Sequence, residues 1–192
     1  MKDIQKRKVR KIELIGGIGI IAFLVYIFLM QVISAKRCVR MAICAGNLKM
    51  IGLAIAVYSQ DYNGYLLPFY SKFSDKYWFQ LLQPYISDLE KNKIFICPSD
   101  KNHIWKGTNY VYNGHYQNKK ILDFKHPEDS LLIIDGKPDI SPFFTKTNYV
   151  LCIDFRHKHT TGPRFSISLR VNGNITHIKE NVILKDNQFY GY

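Results

Sequence analysis

Three groups of residues in this chain have types and spacings that could do chemistry. The run Asp154-Phe155-Arg156-His157-Lys158-His159 contains a His-x-His. On a strand, where side chains alternate between faces, that spacing turns both imidazoles to one side. With a carboxylate close by, His157, His159 and Asp154 are the metal candidates. They fall short of the four ligands of a closed tetrahedral zinc site, so a surface or packing role for the histidines is expected. The second group is Cys38, Cys44, Cys97 and Cys152. Four cysteines allow three complete pairings, and buried free thiols are the alternative. Third is Glu13, which immediately precedes a long apolar run. There is no serine nucleophile elbow, no phosphate-binding glycine loop and no paired-carboxylate pattern, so the chain is not expected to be an enzyme.

The elements that carry these groups begin with a membrane anchor. The chain has 192 residues, 47% hydrophobic and 14% aromatic, enough for one packed domain and too apolar for disorder. Its 27 basic and 15 acidic residues give +12. That excess is concentrated in residues 1–49, which hold ten basic residues and only Asp3 and Glu13 as acids. The remaining 17 basic against 13 acidic residues make a mild excess, which argues against specific nucleic-acid binding. From Leu14 to Ala35 there is no charge. As a helix this stretch spans roughly 33 Å, about one hydrocarbon core. A cleaved secretory signal would be shorter and would end in a small-x-small site, of which Ser34-Ala35 is a poor version. Six basic residues precede the span, while Lys36, Arg37 and Arg40 follow it. The positive-inside bias therefore predicts a cytoplasmic N-terminus and an exported C-terminal part. Glu13, at the cytoplasmic edge, either rests in interfacial water beside Lys11 and Arg10 or is reserved for a cation on another subunit.

Beyond the bilayer the helix continues. Cys44, Leu48, Ile51, Ile55, Tyr58 and Tyr62 follow steps of four and three, and Met50, Leu53, Ala54 and Val57 widen the stripe. Asn63-Gly64, which tolerates a left-handed backbone, predicts the helix stop. One helix of about 50 residues, near 75 Å, is expected, half in lipid and half against a globular domain. In that domain the spacing predicts a short helix over 78–85, strands at 95–97 and 131–134, and a hairpin. The hairpin is Phe165 to Val171, a two-residue Asn172-Gly173 turn, and Asn174 to Lys179.

The series of motifs resembles the type IV prepilins and type II secretion pseudopilins, in particular the prepilin-type N-terminal methylation proteins of planctomycete-like bacteria. It begins with a basic leader, Lys11-Ile12-Glu13-Leu14-Ile15 and the apolar helix. It continues through Cys44-Ala45-Gly46-Asn47-Leu48-Lys49-Met50-Ile51-Gly52, Asp61-Tyr62-Asn63-Gly64-Tyr65 and Trp78 to Tyr85. Cys97-Pro98-Ser99-Asp100, Asn109 to Gly114, and His126 to Gly136 follow in order. The resemblance implies an α+β, type IV pilin-like fold, with one long N-terminal helix packed on a small antiparallel sheet. It divides the chain into a cytoplasmic leader (1–11), a transmembrane half-helix (12–35), an exported amphipathic half-helix (36–64) and a globular antiparallel-sheet domain (65–192).

In that family a membrane peptidase cuts after a small residue five positions before the glutamate, and the glutamate then neutralises the new amine of a neighbouring subunit. Here the cut would fall between Lys8 and Val9. Lys8 is the wrong residue for that peptidase, which leaves processing open. Cys44 and Cys97 both occupy family blocks and form the preferred bridge. Cys44 also lies on the apolar stripe, with Cys38 about 120° around the helix. Two free thiols remain the alternative, and the pairing of Cys38 and Cys152 stays open. Asp154, Arg156 and His157 match a recurring Arg-His motif, but Asn172-Gly173 replaces the later Asp-Gly. A related pseudopilin holds calcium in a C-terminal loop; Asp135-Gly136-Lys137-Pro138-Asp139 offers two of the six to eight oxygens calcium wants, and no other cofactor is expected.

The function implied is a structural subunit of a type II secretion or type IV pilus-like system. Its partners would be the lipid bilayer, other pseudopilin-like subunits and the secretion machinery, and its place the bacterial inner membrane, crossed once. The alternative is a permanently anchored extracytoplasmic module whose 13 Tyr and 12 Phe bind glycan or DNA.

Overall fold

The computed structural model describes residues 2–88, 93–100, 102, 104–141, 143–158, 162–180 and 182, with side chains from Leu14 onward. The side chains of Lys8, Val9 and Glu13, and all of His159, lie outside the described residues. The chain forms two compact units, Met1–Cys38 and Val39–Tyr192. The first is helical, belonging to helix α1 (Lys2–Asp61). Its large apolar side chains are exposed among the described residues, Ile15 to 69% and Phe28 to 66%. This segment is long and apolar enough to cross a membrane once.

In the second unit α1 buries Cys44, Leu48, Ile51, Ile55 and Tyr58, the steps of four and three that its sequence predicts. The buried face is narrower than expected. Met50, Leu53 and Val57 are exposed, as is Tyr62, which stacks on Tyr58 at 4.2 Å between ring centroids instead of entering the core. Asn63 (φ 52°) and Gly64 (φ 82°) end the helix, and the Gly64 N–H donates to the Ser59 carbonyl at 2.7 Å.

Strands β1 (Tyr70–Ser71) and β2 (Lys76–Tyr77) make a small ribbon, followed by α2 (Trp78–Leu81) and a 3₁₀ turn that Pro84 enters. The main sheet contains β3 (Tyr110–Asn113), β4 (Leu131–Asp135), β5 (Phe143–Phe144), β6 (His157–Lys158), β7 (Arg164–Arg170) and β8 (Ile175–Lys179). A short helix α3 (Tyr149–Cys152) lies between β5 and β6. The order is β5-β3-β4-β7-β6, with β8 on the other edge of β7. This α+β layout has the expected long helix, but the sheet is mixed rather than antiparallel, because β5 pairs parallel with β3. β5 follows β4, yet β3 already occupies the neighbouring edge, so the chain crosses to the outer edge of β3 and arrives in the same direction.

Two further expectations are corrected. Residues 93–97 form turns rather than a strand, held from outside by Asn109, whose N–H donates to the Phe95 carbonyl. The β7–β8 hairpin pairs Leu169 with Ile175, and the Arg170 N–H donates to the Asn174 carbonyl. Its loop is therefore Val171-Asn172-Gly173, with Gly173 left-handed at φ 84°, one residue longer than the predicted two-residue turn.

The sheet is buried on both faces. Tyr110, Tyr112, Ile133, Ile167 and Leu169 join the α1 residues and Trp78 in the larger cluster. On the opposite side Val111, Ile134 and Ile178 pack with Phe144, Cys152 and Ile153.

Candidate functional site

The topology brings the chemistry-bearing residues to one point. β7 takes β4 on one edge at Ser168–Arg170 and β6 on that same edge at Arg164–Phe165. The last residue of β4, Asp135, therefore meets the first of β6, His157. Asp135 Oδ2 accepts the Ile167 N–H at 2.7 Å and lies 3.1 Å from His157 Nε2. Both side chains are buried, at 0% and 1% exposure, and Asp135 Oδ1 has no hydrogen-bond partner among the described residues.

On the other side of His157 is the disulfide between Cys44 of α1 and Cys97. His157 Nε2 is 3.5 Å from Cys97 Sγ, and His157 Nδ1 is 3.4 Å from Ser99 Oγ. Asn109 clamps the turn carrying these groups. Its Oδ1 accepts the Cys97 N–H at 2.8 Å, and its Nδ2 donates to the Cys97 and Asp100 carbonyls, each at 3.2 Å. Beside it, Arg156 pairs with Asp100 at 3.2 Å and with Asp154 at 3.1 Å, its side chain only 4% exposed. Arg156 also donates to the Asn109 and Gly136 carbonyls. Gly136 is required by close approach: a Cβ there would sit 2.4 Å from Val111 Cγ2 and 2.8 Å from the Cys152 carbonyl. Burial first, and the Asp135 carboxylate second, push the Tyr110 phenol well above its usual range, so it stays protonated.

Asp135, His157 and Ser99 follow the acid, imidazole, hydroxyl order of a hydrolytic triad. That order does not suffice for catalysis, which needs a cleft where substrate meets the nucleophile. Among the described residues, one groove of about 350 Å³ lies beside Gly52 and Leu169 and another of about 360 Å³ beside Tyr62 and Tyr85, both lined by residues other than these. The cluster ties α1, the Cys97–Asp100 turn, β3, β4 and β6 together by a covalent bond, ion pairs and hydrogen bonds.

The Cys44–Cys97 bridge is the one the sequence favours. Closing a chain separation of 53 residues, it contributes about 2–4 kcal/mol of stability. Cys38 and Cys152 are both free, the first exposed and the second buried, and burial raises the Cys152 thiol. Of the first metal set, His157 faces Asp135 and Cys97 and Asp154 faces Arg156, while His159 lies outside the described residues. The calcium loop is likewise redirected, since Asp135 is buried against His157 and Ile167 while Asp139 is exposed. The residues missed as site members are Ser99, Asp100, Asn109 and Arg156. Their signal lay in the motif blocks, which are separate in sequence and converge here. No family model, curated protein or solved structure matches the chain.

Proposed function

We propose that this chain is a membrane-anchored, pseudopilin-like structural subunit of a type II secretion or type IV pilus-like system, associating through the N-terminal segment of α1. The observation that carries this reading is the bare apolar helix. From Leu14 to Met30 its large side chains are 40–69% exposed. Water does not tolerate such a surface; lipid, or the same segment of other copies, does. The motif series and the long helix entering an α+β domain support the pilin-like identity. A non-catalytic role is supported by the burial of the reactive groups against one another.

A second reading, an anchored glycan-binding module, is favoured by the groove formed by Tyr58, Tyr62, Tyr85, Gln80, Ser71 and Lys76. Its aromatic faces and polar rim have the composition of a sugar site, but they leave the bare helix as a mere tether.

In this reading Lys2 to Lys11 stay in the cytoplasm and the Val39–Tyr192 unit is exported across the inner membrane, as the excess of basic residues before the span supports. An alkaline phosphatase, which folds only where disulfides form, is expected to be active when fused after Tyr192. Activity of a cytoplasm-only reporter at that position would overturn the orientation.

A further inference from the structure

The cluster around His157 has a second chemical state that its disulfide conceals. We propose that in the dithiol state Cys44, Cys97, His157 and Asp135 form a four-ligand Zn²⁺ site, and that closing the disulfide expels the metal. The Sγ and imidazole nitrogen atoms of Cys44, Cys97 and His157 lie within 4.8 Å of one another, all buried. In a tetrahedral zinc site with Zn–N near 2.0 Å and Zn–S near 2.3 Å, neighbouring N and S ligands sit about 3.5 Å apart and N and O ligands about 3.3 Å. The observed Nε2 to Cys97 Sγ distance is 3.5 Å, and Nε2 to Asp135 Oδ2 is 3.1 Å. Three edges of the tetrahedron meet at His157 Nε2, and two of them are already near their final length. The remaining change is separation of the two sulfurs once their bond opens.

Three observations point to a ligand rather than to packing alone. Asp135 Oδ1 is wholly buried with no partner among the described residues, so the carboxylate has capacity that the disulfide state leaves unused. His157 has its other ring nitrogen, Nδ1, 3.4 Å from Ser99 Oγ, the outer-shell acceptor that fixes a ligating histidine with Nε2 toward the metal. The charge also balances. Zn²⁺ with two thiolates, one carboxylate and a neutral imidazole carries a single negative charge, the same as one carboxylate alone. Exchanging one state for the other therefore adds no net buried charge. Thiolate, imidazole and carboxylate together are a donor set suited to zinc.

The chain is made with both cysteines as thiols, so the dithiol state precedes the bridge. Binding Zn²⁺ releases the two thiol protons. Oxidation by an oxidant of the disulfide class removes two electrons from the thiolates, joins the sulfurs, frees Zn²⁺ and reduces the oxidant to its dithiol with two protons from water.

The test uses the full chain in detergent with Cys38→Ser, which removes the exposed free thiol. It is reduced with a phosphine, which becomes its oxide with oxygen from water, and titrated with Co²⁺ and then Zn²⁺. One cobalt per chain is expected, with thiolate charge-transfer and tetrahedral d–d bands that zinc abolishes; the oxidised chain should show neither. Ser99→Ala should keep the fold and weaken Zn²⁺ roughly tenfold to a hundredfold. His157→Gln should remove the tetrahedral spectrum while leaving every remaining thiol in place. If the reduced chain unfolds without metal, one equivalent of Zn²⁺ should restore its near-ultraviolet circular dichroism. Equal metal uptake by oxidised and reduced chains, retention of the spectrum in His157→Gln, or no uptake and no restoration by the reduced chain would each overturn the proposal.

Discussion

Replacing Arg156 by Met should destabilise the Val39–Tyr192 unit by about 3–5 kcal/mol, because the substitution leaves two carboxylates facing a site that has lost its cation. Asp100 is 6% exposed at its side chain and Asp154 20%, so water reaches the second better, and most of the loss falls on Asp100. The guanidinium also donates to the Asn109 and Gly136 carbonyls, and Met, unbranched but shorter, offers neither charge nor donor. Arg156→Lys should recover only part of the loss, since a single ammonium cannot span two carboxylates and two carbonyls in fixed directions. Denaturant unfolding of the full chain in detergent, followed by tryptophan fluorescence from buried Trp78, measures both variants. A loss under about 1 kcal/mol would mean that the pairs contribute no more than surface bridges do.

The second large effect is on association rather than folding. If Glu13 meets a cation of another copy within the membrane, Glu13→Gln leaves that cation unpaired in low dielectric, a loss of about 3–5 kcal/mol per contact in buried cases. The expected result is a steep fall in energy transfer between differently labelled copies in bicelles, with membrane insertion and the spectrum of the folded unit unchanged. Unchanged transfer would make Glu13 an interfacial charge held by Lys11 and Arg10, and would shift the reading toward the anchored glycan module.

Much of this fold is legible where the signal is local. Steps of four and three put Cys44, Leu48, Ile51, Ile55 and Tyr58 on one face, and alternation over 165–179 gave the β7–β8 hairpin. Asn63-Gly64 marked the helix end through its backbone freedom. What was not legible is set by tertiary contacts. β5 is two phenylalanines, too short for any period, and its parallel pairing depends on which edge β4 leaves open. Residues 95–97 read as a strand because they are apolar, but their polar backbone groups are taken by Asn109 from a distant segment.

The site divides in the same way. Cys44 and Cys97 were found as a pair, and His157 as a candidate ligand. Asp135, 22 residues before His157, was read with Asp139 because that aspartate is near in sequence; only β7, by taking β4 and β6 on one edge, shows that its partner is the histidine.

The claim on which the account rests is that the bare helix is an association surface as well as an anchor. A photo-reactive amino acid at Leu24, which is 58% exposed and ten residues inside the apolar run, tests it in native membranes. Illumination should give dimers of this chain or cross-links to other helices of the same machine, lost on adding Glu13→Gln. Cross-links to lipid alone, with the chain monomeric at its natural abundance, would contradict the account.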